Sequence, residues 1–503
     1  MQGLKNRIIR TALATRARAF DRMRRDAAEL QRRTFAELAF RGERTAFGHD
    51  HGLRAGMTYE RFAEAVPVRD YDAFRPYVER MLAGERNVAA EGCARMFARS
   101  SGTTSDRSKY IPVTAEALWR NHLRGMRDVA AMYASEHPAT RIFEGRALTL
   151  GGSCRTEHGA LVGDLSAIVI SCLPQTAGWL RLPDVRTALT EDFEAKAAAI
   201  CRECTRRNVT SLAGVPSWNL ALLRRILDYT GCDNLLEVWP HLEMFAHGGM
   251  GFAPYRAAFA EILPSEDFRY METYNASEGF FAMADDLSRD DMMLMTDYGT
   301  LYEFRDGAAT VPLEGVRSGG RYAMVITSCN GLWRYELGDV VEFTSTDPYR
   351  IRLVGRTRQF INVFGEELMA DNAERALAEA CRATGAVAAE YTAAPVYMTL
   401  HERGAHEWAV EFLHEPADAA TFAATLDDAL RRLNSDYDAK RRTTLAPPLV
   451  RALPRGTFER WLRRRCKNKV PHLCNDRRVM EEIAEATAGD ETNATVAAEA
   501  ETI

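Results

Sequence analysis

Residues 100–109 read Ser-Ser-Gly-Thr-Thr-Ser-Asp-Arg-Ser-Lys, and a strand-like segment at 110–113 follows directly. Small hydroxyl residues and a glycine let the backbone approach an oxyanion closely, and they offer O–H and N–H donors. Lys109 then adds a point charge for a bound phosphate. The stretch lacks the Gly-Lys-Ser/Thr ending and the following helix of a Walker A loop. Its composition indicates a phosphate cradle, although a polar surface loop can have the same composition.

The overall composition is that of a globular protein. The chain has 503 residues, with 46% apolar and 27% charged side chains, which is enough for two or three domains. A net charge of −5 argues against a general affinity for nucleic acid, and no apolar run has the roughly 18 residues of a membrane span. No second Cys or His cluster accompanies Cys201 and Cys204, so we expect reduced thiols and a cytoplasmic protein rather than disulfides or a zinc site.

The pattern of strands and helices predicts an α/β fold. Residues 1–45 are predicted to form one long helix or two short ones, and the arginine-rich start is interpreted as the first helix rather than a transit peptide. From residue 146, helical runs alternate with strand-type runs at 146–152, 167–173, 209–215, 242–249 and 270–274. This alternation predicts parallel strands whose carboxyl ends gather the loops, and ligands bind beyond those ends in such sheets.

The pattern changes near residues 355–360 from strand-type runs to a charged, glycine-containing segment followed by a helical run, which predicts a domain boundary there. We predict a large multi-sheet N-terminal domain over 1–357 and a small α+β domain over 358–485. Residues 486–503 contain Ala, Glu and Thr with almost no large apolar side chain, which predicts a disordered acidic tail.

Two further stretches contain residues suited to binding a nucleotide. Tyr274-Asn275-Ala276-Ser277-Glu278 ends a predicted strand, and the lone carboxylate of Glu278 suits Mg²⁺, which takes one or two protein carboxylates besides phosphate and water. In Tyr335-Glu336-Leu337-Gly338-Asp339, a strand-end aspartate is placed to accept both hydroxyls of a ribose. Ordinary turns contain the same residue types, so each stretch alone leaves that alternative open.

Together and in this order, the motifs resemble those of the GH3 family of acyl-acid amido synthetases, within the adenylate-forming superfamily. The matching pieces are Ser100–Thr104 with Lys109 and Ile111-Pro112, Tyr274 with Ser277-Glu278, Tyr335–Val340, Gly355-Arg356 with Gly365-Glu366, and Gly456–Phe458 with Lys469 and Pro471. The sequence departs from the family pattern at Asp106, Glu336, Glu367 and His472, where many relatives carry glycine, arginine, lysine and arginine.

The resemblance implies an ATP- and Mg²⁺-dependent ligase. Such an enzyme adenylates a small carboxylic acid, transfers the acyl group to the amine of an amino acid, and releases AMP and pyrophosphate. The small domain is then expected to be mobile and to swing between the two half-reactions. An acyl-CoA synthetase and a catalytically silent binding protein on the same fold are the alternatives, and neither nucleic acid nor a membrane is an expected partner.

The resemblance also suggests roles for individual residues. The expected ATP-binding residues are Ser100, Ser101, Gly102, Thr103, Thr104 and Lys109 at the β- and γ-phosphates, Asp339 and Arg356 at the ribose, Ser277, Gly248 and Gly249 at the adenine, and Tyr274. Glu278 is the expected metal ligand, and Lys469 and Lys109 are the expected catalytic residues, with Lys469 bridging the carboxylate and the α-phosphate. The acyl pocket is expected to use Trp119, His122, Leu123 and Met126, for each of which core packing is the alternative. Arg120 or Arg124 is a candidate for the substrate carboxylate, with an ordinary surface arginine as the alternative.

Overall fold

The computed structural model describes residues 2–100, 109–157, 159–307, 309–356, 360–465 and 470–485. These residues form two compact units. The larger unit contains the described residues up to 252 and from 259 to 356, and the smaller unit contains 253–258 and the described residues from 360 onward. The predicted boundary at 357/358 and the predicted tail over 486–503 lie outside the described residues.

Helices dominate the first 140 residues of the larger unit. Helices α1 to α8 span, in order, Gln2–Leu13, Ala17–Arg25, Ala27–Gly42, Ala46–Asp50, Tyr59–Ala65, Tyr71–Leu82, Ala115–Ala117 and Leu123–Glu136. A π-helical turn, Leu118–His122, joins α7 to α8 and makes one continuous helix. Thr58, Asp70 and Thr114 are the N-caps of α5, α6 and α7, since each side chain accepts the backbone N–H three residues further on.

The strands of the larger unit form two sheets within the part of the chain that the structure describes. Strands β1 to β16 span, in order, Met96–Ser100, Lys109–Pro112, Arg146–Thr149, Cys154–Glu157, Ala160–Gly163, Arg181–Leu182, Val209–Gly214, Met244–Gly248, Arg269–Ala276, Gly279–Met283, Met292–Leu294, Thr300–Asp306, Ala309–Pro312, Arg321–Ser328, Tyr335–Thr346 and Tyr349–Arg356. One sheet has the order β2-β1-β5-β4. The other has twelve strands in the order β13-β12-β14-β15-β16-β11-β10-β9-β8-β7-β3-β6.

The direction of the strands changes within the twelve-stranded sheet. Strands β6, β3, β7, β8 and β9 are parallel, and every pair from β9 to β13 is antiparallel. The reversal takes place in a hairpin whose two-residue tip is Ser277 and Glu278, flanked by the paired Ala276 and Gly279. The carboxyl ends of the parallel strands therefore meet along one edge, as the sequence predicts.

Six further helices connect the strands of the parallel half. Helices α9 to α14 span Leu165–Ser171, Val185–Ala188, Phe193–Cys204, Pro216–Thr230, Leu235–Val238 and Arg256–Ile262. The prediction of a strand at 167–173 is wrong, because residues 167–171 belong to α9, which ends at Ser171. A short apolar run without periodicity fits a buried helix as well as a buried strand. None of the described helices combines the length and apolar composition that crossing a membrane requires.

The N-terminal segment forms three helices, α1 to α3, where the sequence predicts one or two. Phe20 is buried, but Leu4 and Ile8 on α1 are 62% and 59% exposed. Helix α3 ends at Gly42, the predicted stop.

The smaller unit is an α+β arrangement, as predicted. Strands β17 to β21 span Phe360–Ile361, Leu368–Met369, Val387–Val396, Ala405–His414 and Leu449–Leu453, and helices α15 to α18 span Ala370–Thr384, Ala419–Leu433, Ser435–Thr443 and Thr457–Arg465. Strand β20 is antiparallel to β19 and parallel to β21. Phe422, Leu426, Ala429 and Leu430 form the buried stripe of α16, whereas Ala419 at its start is exposed.

Candidate functional site

Asp339 on β15 is held from two sides, by the adjacent strand β16 and by β9. The Tyr274 hydroxyl on β9 donates to Oδ2 of Asp339 at 2.6 Å, and Nε of Arg356 on β16 donates to Oδ1 at 2.6 Å. Asp339 and Arg356 are also direct partners in the β15–β16 ladder. Each oxygen of an ionised carboxylate has two lone pairs. Asp339 therefore keeps capacity to accept hydrogen bonds from two hydroxyl groups of a ligand.

The hydroxyl of Tyr274 is fixed as a donor by its surroundings. Burial raises the pKa of Tyr274 well above its usual range, and the adjacent Asp339 carboxylate raises this pKa further, because both disfavour the phenolate. Tyr274 thus stays protonated and orients the Asp339 carboxylate.

Glu278 lies at the tip of the β9–β10 hairpin. Its backbone carbonyl accepts a hydrogen bond from Nδ2 of Asn330 at 3.0 Å. The pKa values of Tyr274 and Tyr335 are raised mainly by burial, and the negative charge of Glu278 adds to the rise at both residues. The Glu278 carboxylate therefore lies within electrostatic reach of both tyrosines.

Lys109 starts β2 and pairs with Ser100, the last residue of β1. Nζ of Lys109 lies 5.9 Å from the centroid of the Tyr71 ring, within the range of a cation–π contact. The Tyr71 hydroxyl accepts the backbone N–H of Tyr110 at 2.8 Å and so fixes the start of the strand. Tyr71 in turn contributes to the raised pKa of Tyr335.

Among the predicted site residues, Tyr274, Asp339 and Arg356 are joined directly by hydrogen bonds. The negative charge of Glu278 adds to the rise that burial causes in the pKa values of Tyr274 and Tyr335, and Lys109 lies beside Tyr71. Ser101, Gly102, Thr103, Thr104 and Lys469, together with Asp106, lie outside the described residues.

Gly248 ends β8 and Gly249 follows it in a bend, next to Thr273 of β9. A methyl group on Gly248 would lie 2.3 Å from the carbonyl oxygen of Thr273, and Gly249 has a φ of +83°, which a side chain would strain. The His247 ring stacks on Phe252 with 4.2 Å between the ring centroids. The turn therefore lets the backbone of β8 approach β9 more closely than any side chain would allow.

The predicted acyl-pocket residues lie in different environments along the helix 115–136. Trp119 is 58% exposed and Met126 is 39% exposed, whereas His122 is 4% exposed and Leu123 packs partly against the core. Burial lowers the pKa of His122 to about 4, so its imidazole is neutral at neutral pH.

The helix 115–136 is fixed to the sheet by Asn121, a residue that the sequence did not single out. Asn121 accepts the backbone N–H of Phe280 at 2.6 Å and donates to the Tyr298 carbonyl at 3.1 Å. Gly125 allows close packing, since a methyl group there would lie 2.4 Å from the Phe280 ring.

Arg120 and Arg124 form ion pairs with carboxylates of the protein itself. Arg120 donates to both carboxylate oxygens of Glu37 at 2.6 and 2.7 Å, and Arg124 donates to Asp297 at 2.8 Å. These contacts favour the surface-pair alternative over binding of a substrate carboxylate.

The described departures from the family pattern each have local partners. Glu336 pairs with Arg305 at 3.3 Å, and Glu367 adopts a left-handed backbone with φ +38°. His472 contacts the Glu390 carboxylate at 2.8 Å, and this contact raises the pKa of His472. These residues are integrated into the fold as ordinary structural contacts.

Lys196 is a second residue that sequence reasoning missed. It is buried, and Nζ donates to the carbonyls of Gly151 and Gly152 at 2.6 and 3.2 Å, at the carboxyl end of β3. Burial lowers the pKa of Lys196 to about 8, although the nearby Asp164 opposes this shift. The glycine pair is visible in the sequence, but the lysine that binds it lies more than 40 residues away.

A metal ion at this site would depend mainly on its substrate for ligands. Among the described residues, no group of three or more His, Cys, Asp or Glu side chains is arranged to hold a metal ion. A single carboxylate at a hairpin tip fits Mg²⁺, which completes its coordination with phosphate oxygens and water.

Comparison with known proteins identifies the family. Residues 16–174 match the GH3 family N-terminal domain, residues 290–356 the GH3 family central domain, and residues 371–478 the GH3 family C-terminal domain. The chain belongs to the GH3 family. The family and the ligase class predicted from the sequence are confirmed by this match and by the curated GH3 relatives.

Two curated relatives align with most of the chain. The indole-3-acetic acid-amido synthetase GH3.8 of Oryza sativa subsp. indica is 23% identical, over 88% of this chain and 86% of its own length. The probable indole-3-acetic acid-amido synthetase GH3.1 of Arabidopsis thaliana is 21% identical, over 88% and 87%.

Solved structures confirm the fold. The AtGH3.15 acyl acid amido synthetase in complex with 2,4-DB has a TM-score of 0.63 and 16% identity, with 95% of this chain and 96% of that chain covered. A 2-hydroxyisobutyryl-CoA ligase in complex with 2-HIB-AMP and CoA has a TM-score of 0.55 and 15% identity, with 93% and 92% covered. The fold of this chain is thus similar to that of a CoA ligase as well.

Proposed function

We propose that this GH3 protein is an acyl-acid amido synthetase that uses ATP to join a small carboxylic acid to the amine of an amino acid. Two findings from the comparisons support the proposal. Three GH3 domains match along the chain, and the curated relatives are named as amido synthetases. The hydrogen-bonded group of Tyr274, Asp339 and Arg356 is the single structural observation that carries the proposal.

The reaction needs activation because a carboxylate and an amine do not form an amide at neutral pH, where hydroxide is a poor leaving group. In the first step, a carboxylate oxygen attacks the α-phosphorus of ATP, and pyrophosphate leaves. In the second step, the amine nitrogen attacks the carbonyl carbon of the acyl-adenylate, AMP leaves, and the nitrogen loses a proton. The first step requires stabilisation of charge on the phosphates more than covalent help.

In this proposal Asp339 accepts hydrogen bonds from the ribose hydroxyls. Its carboxylate is already oriented by Tyr274 and Arg356, so binding the ribose needs little reorganisation. The turn at Gly248 and Gly249 borders the adenine, because its open backbone lets a flat ring approach. Ser277 is half-buried at the neighbouring hairpin tip and borders the adenine from the other strand.

The phosphates of ATP are assigned to Lys109, the stretch that precedes it, and Glu278. Lys109 supplies a positive charge to the β- and γ-phosphates, together with Ser100, Ser101, Gly102, Thr103 and Thr104 from the preceding stretch. Glu278 is the residue that holds Mg²⁺, which when bound neutralises charge on the phosphates. Lys469 is assigned to the carboxylate and the α-phosphate during adenylation.

The acyl pocket is assigned to the helix 115–136. Trp119 and Met126 present exposed apolar surface, and the neutral imidazole of His122 lies between them along the sequence. A neutral imidazole repels neither an apolar acyl chain nor a substrate carboxylate, whereas a charged one would bind the carboxylate away from the α-phosphate.

We also propose that the enzyme works in the cytoplasm, with a small domain that moves between the two half-reactions. The described cysteines are all free thiols, which fits a reducing compartment. Neither nucleic acid nor a membrane is a proposed partner.

The test is pyrophosphate–ATP exchange measured across a panel of small carboxylic acids. We expect exchange with at least one acid and none without acid, because exchange requires reversible formation of an acyl-adenylate. For that acid, coenzyme A, hydroxylamine and a mixture of amino acids are then offered in parallel. Amides with an amino acid support the proposal, thioesters with coenzyme A identify the acyl-CoA synthetase alternative, and failure to bind ATP favours the silent binding protein.

A further inference from the structure

Arg334 lies directly before β15, the strand that carries Asp339, and it is unusual in two ways. Its backbone is left-handed, with φ +44°, a conformation that costs a residue other than glycine some stability. Its side chain is buried, with the residue only 5% exposed.

The Arg334 guanidinium connects three parts of the larger unit. Nε donates to both carboxylate oxygens of Glu303 on β12 at 3.0 and 3.1 Å. Nη1 donates to the carbonyls of Ala63 and Val66, at the end of α5, at 2.7 and 2.8 Å. Glu303 is fully buried and also accepts the hydroxyl of Tyr59, the first residue of α5, at 2.8 Å. Arg334 thus ties one helix and one strand to the start of β15.

The backbone of Arg334 is held as firmly as its side chain. Its N–H donates to Oγ1 of the buried Thr327 at 3.0 Å, and its carbonyl accepts the N–H of Arg69 at 3.0 Å. The Arg69 carbonyl accepts the N–H of Glu336 at 2.9 Å. The first residues of β15 are therefore clamped on both sides before the strand reaches Asp339.

Stability alone is a weak reason to bury such a pair. Removing two charges from water costs much of what their attraction returns, and apolar side chains of similar volume are often at least as stabilising. An arginine–carboxylate pair joined by two hydrogen bonds has a fixed geometry, however, and it defines the position and register of a strand better than apolar packing does. Because Asp339 must meet both Tyr274 and Arg356, the position of β15 decides whether its carboxylate is correctly placed.

We propose that Arg334 is a positioning residue for the nucleotide site, which sets β15 so that Asp339 is presented to the ribose. The inference rests on the proposed function, since it takes ATP as the ligand of Asp339. Arg334 itself does not touch the ligand; it acts through β15.

The test compares Arg334→Lys with a matched control, Arg16→Lys. Arg16 donates to both carboxylate oxygens of the fully buried Asp128 in the same unit, at 3.0 and 2.7 Å, and neither residue belongs to the candidate site. Each variant keeps the positive charge but loses the planar guanidinium that donates to both oxygens of the carboxylate. Melting temperature measures the structural damage, calorimetric titration with ATP measures affinity, and exchange kinetics give KM for ATP and for the acid separately.

We expect Arg334→Lys to weaken ATP binding about tenfold and to raise KM for ATP while KM for the acid changes less than twofold. Arg16→Lys should change ATP affinity less than twofold at a comparable loss of melting temperature. Equal effects of the two variants on ATP affinity, or unchanged ATP affinity in Arg334→Lys, would overturn the inference while leaving the proposed function intact.

A milder variant covers the case in which Arg334→Lys does not fold. Tyr59→Phe removes one hydrogen bond to Glu303 and keeps the ion pair. We expect it to weaken ATP binding two- to threefold, and an unchanged ATP affinity would count against the inference. A wild-type protein that binds no ATP would instead overturn the proposed function.

Discussion

Replacing Tyr274 by phenylalanine tests the geometry of the candidate nucleotide site most directly. The substitution removes one oxygen atom, whose proton is donated to Oδ2 of Asp339 at 2.6 Å, and keeps the buried ring. Asp339 is then oriented by Arg356 alone, so its carboxylate can rotate away from the position that suits the ribose. We expect weaker ATP binding with little change in the maximal rate, because the reacting atoms are not involved.

The expected magnitude follows from the bond that is lost. A hydrogen bond to a charged group contributes roughly 1.5–3 kcal/mol. If about half of that is needed to restore the carboxylate's orientation when ATP binds, the loss is about 0.8–1.5 kcal/mol, or about four- to twelvefold in affinity. The free energy of unfolding should fall by roughly 1.5–3 kcal/mol in the same variant.

Tyr298→Phe is the control for this experiment. Tyr298 is also buried, and its hydroxyl donates to Oδ2 of the buried Asp128 at 2.7 Å, where an arginine is again the second partner. Both variants should lose similar stability in denaturant titrations, but only Tyr274→Phe should change KM for ATP in the exchange assay. A similar rise in KM for both, or no rise for Tyr274→Phe, would refute the proposed role of the Tyr274–Asp339 pair.

Three further predictions concern other parts of the chain. Lys469→Ala should slow adenylation roughly 100- to 1000-fold, the scale for losing one preorganised donor, yet slow aminolysis of a preformed acyl-adenylate far less; equal losses in single-turnover assays of both steps would contradict its assignment. Gly248→Ala should cost about 1–3 kcal/mol in denaturant titrations because of the contact with Thr273, whereas Gly251→Ala, with nothing within 4 Å of the added methyl, should be nearly neutral. The pKa of Lys196 is lowered to about 8, so as the pH rises the folded state releases this proton before the unfolded state does. The free energy of unfolding contributed by this residue should therefore rise between about pH 8 and pH 10.5. A Lys196→Met variant should lack this rise, and identical pH profiles of the two proteins would show that the lysine does not titrate there.

Local patterns in the sequence were enough to predict much of the fold. The N-caps at Thr58, Asp70 and Thr114 depend on a side chain and a backbone group three residues apart, so they can be predicted from neighbouring residues. The parallel order of the central strands follows from the alternation of strand and helix patterns. The run at 167–173 was placed in the wrong class because residues 167–170 are consecutive, apolar and all buried, which removes the periodicity that distinguishes helix from strand.

The candidate site was predictable only in its individual motifs. Tyr274, Glu278 and Asp339 each follow a recognisable stretch, but no local pattern shows that Tyr274 and Asp339, 65 residues apart, share a hydrogen bond. Lys196 and Arg334 could not be found in this way, because each acts on backbone carbonyls or buried acids that are distant in the sequence. A buried charge depends on partners that only the folded chain brings together.

The two-residue tip of the β9–β10 hairpin restricts how this protein can vary. Side chains of a strand alternate between the two faces of a sheet. One inserted residue that shifted the pairing would therefore move each side chain of Phe280–Met283 to the opposite face of the sheet. Natural or engineered changes in acid preference should therefore arise by substitution or by altered length of other loops. The length of this turn is then expected to stay constant while its surroundings diversify.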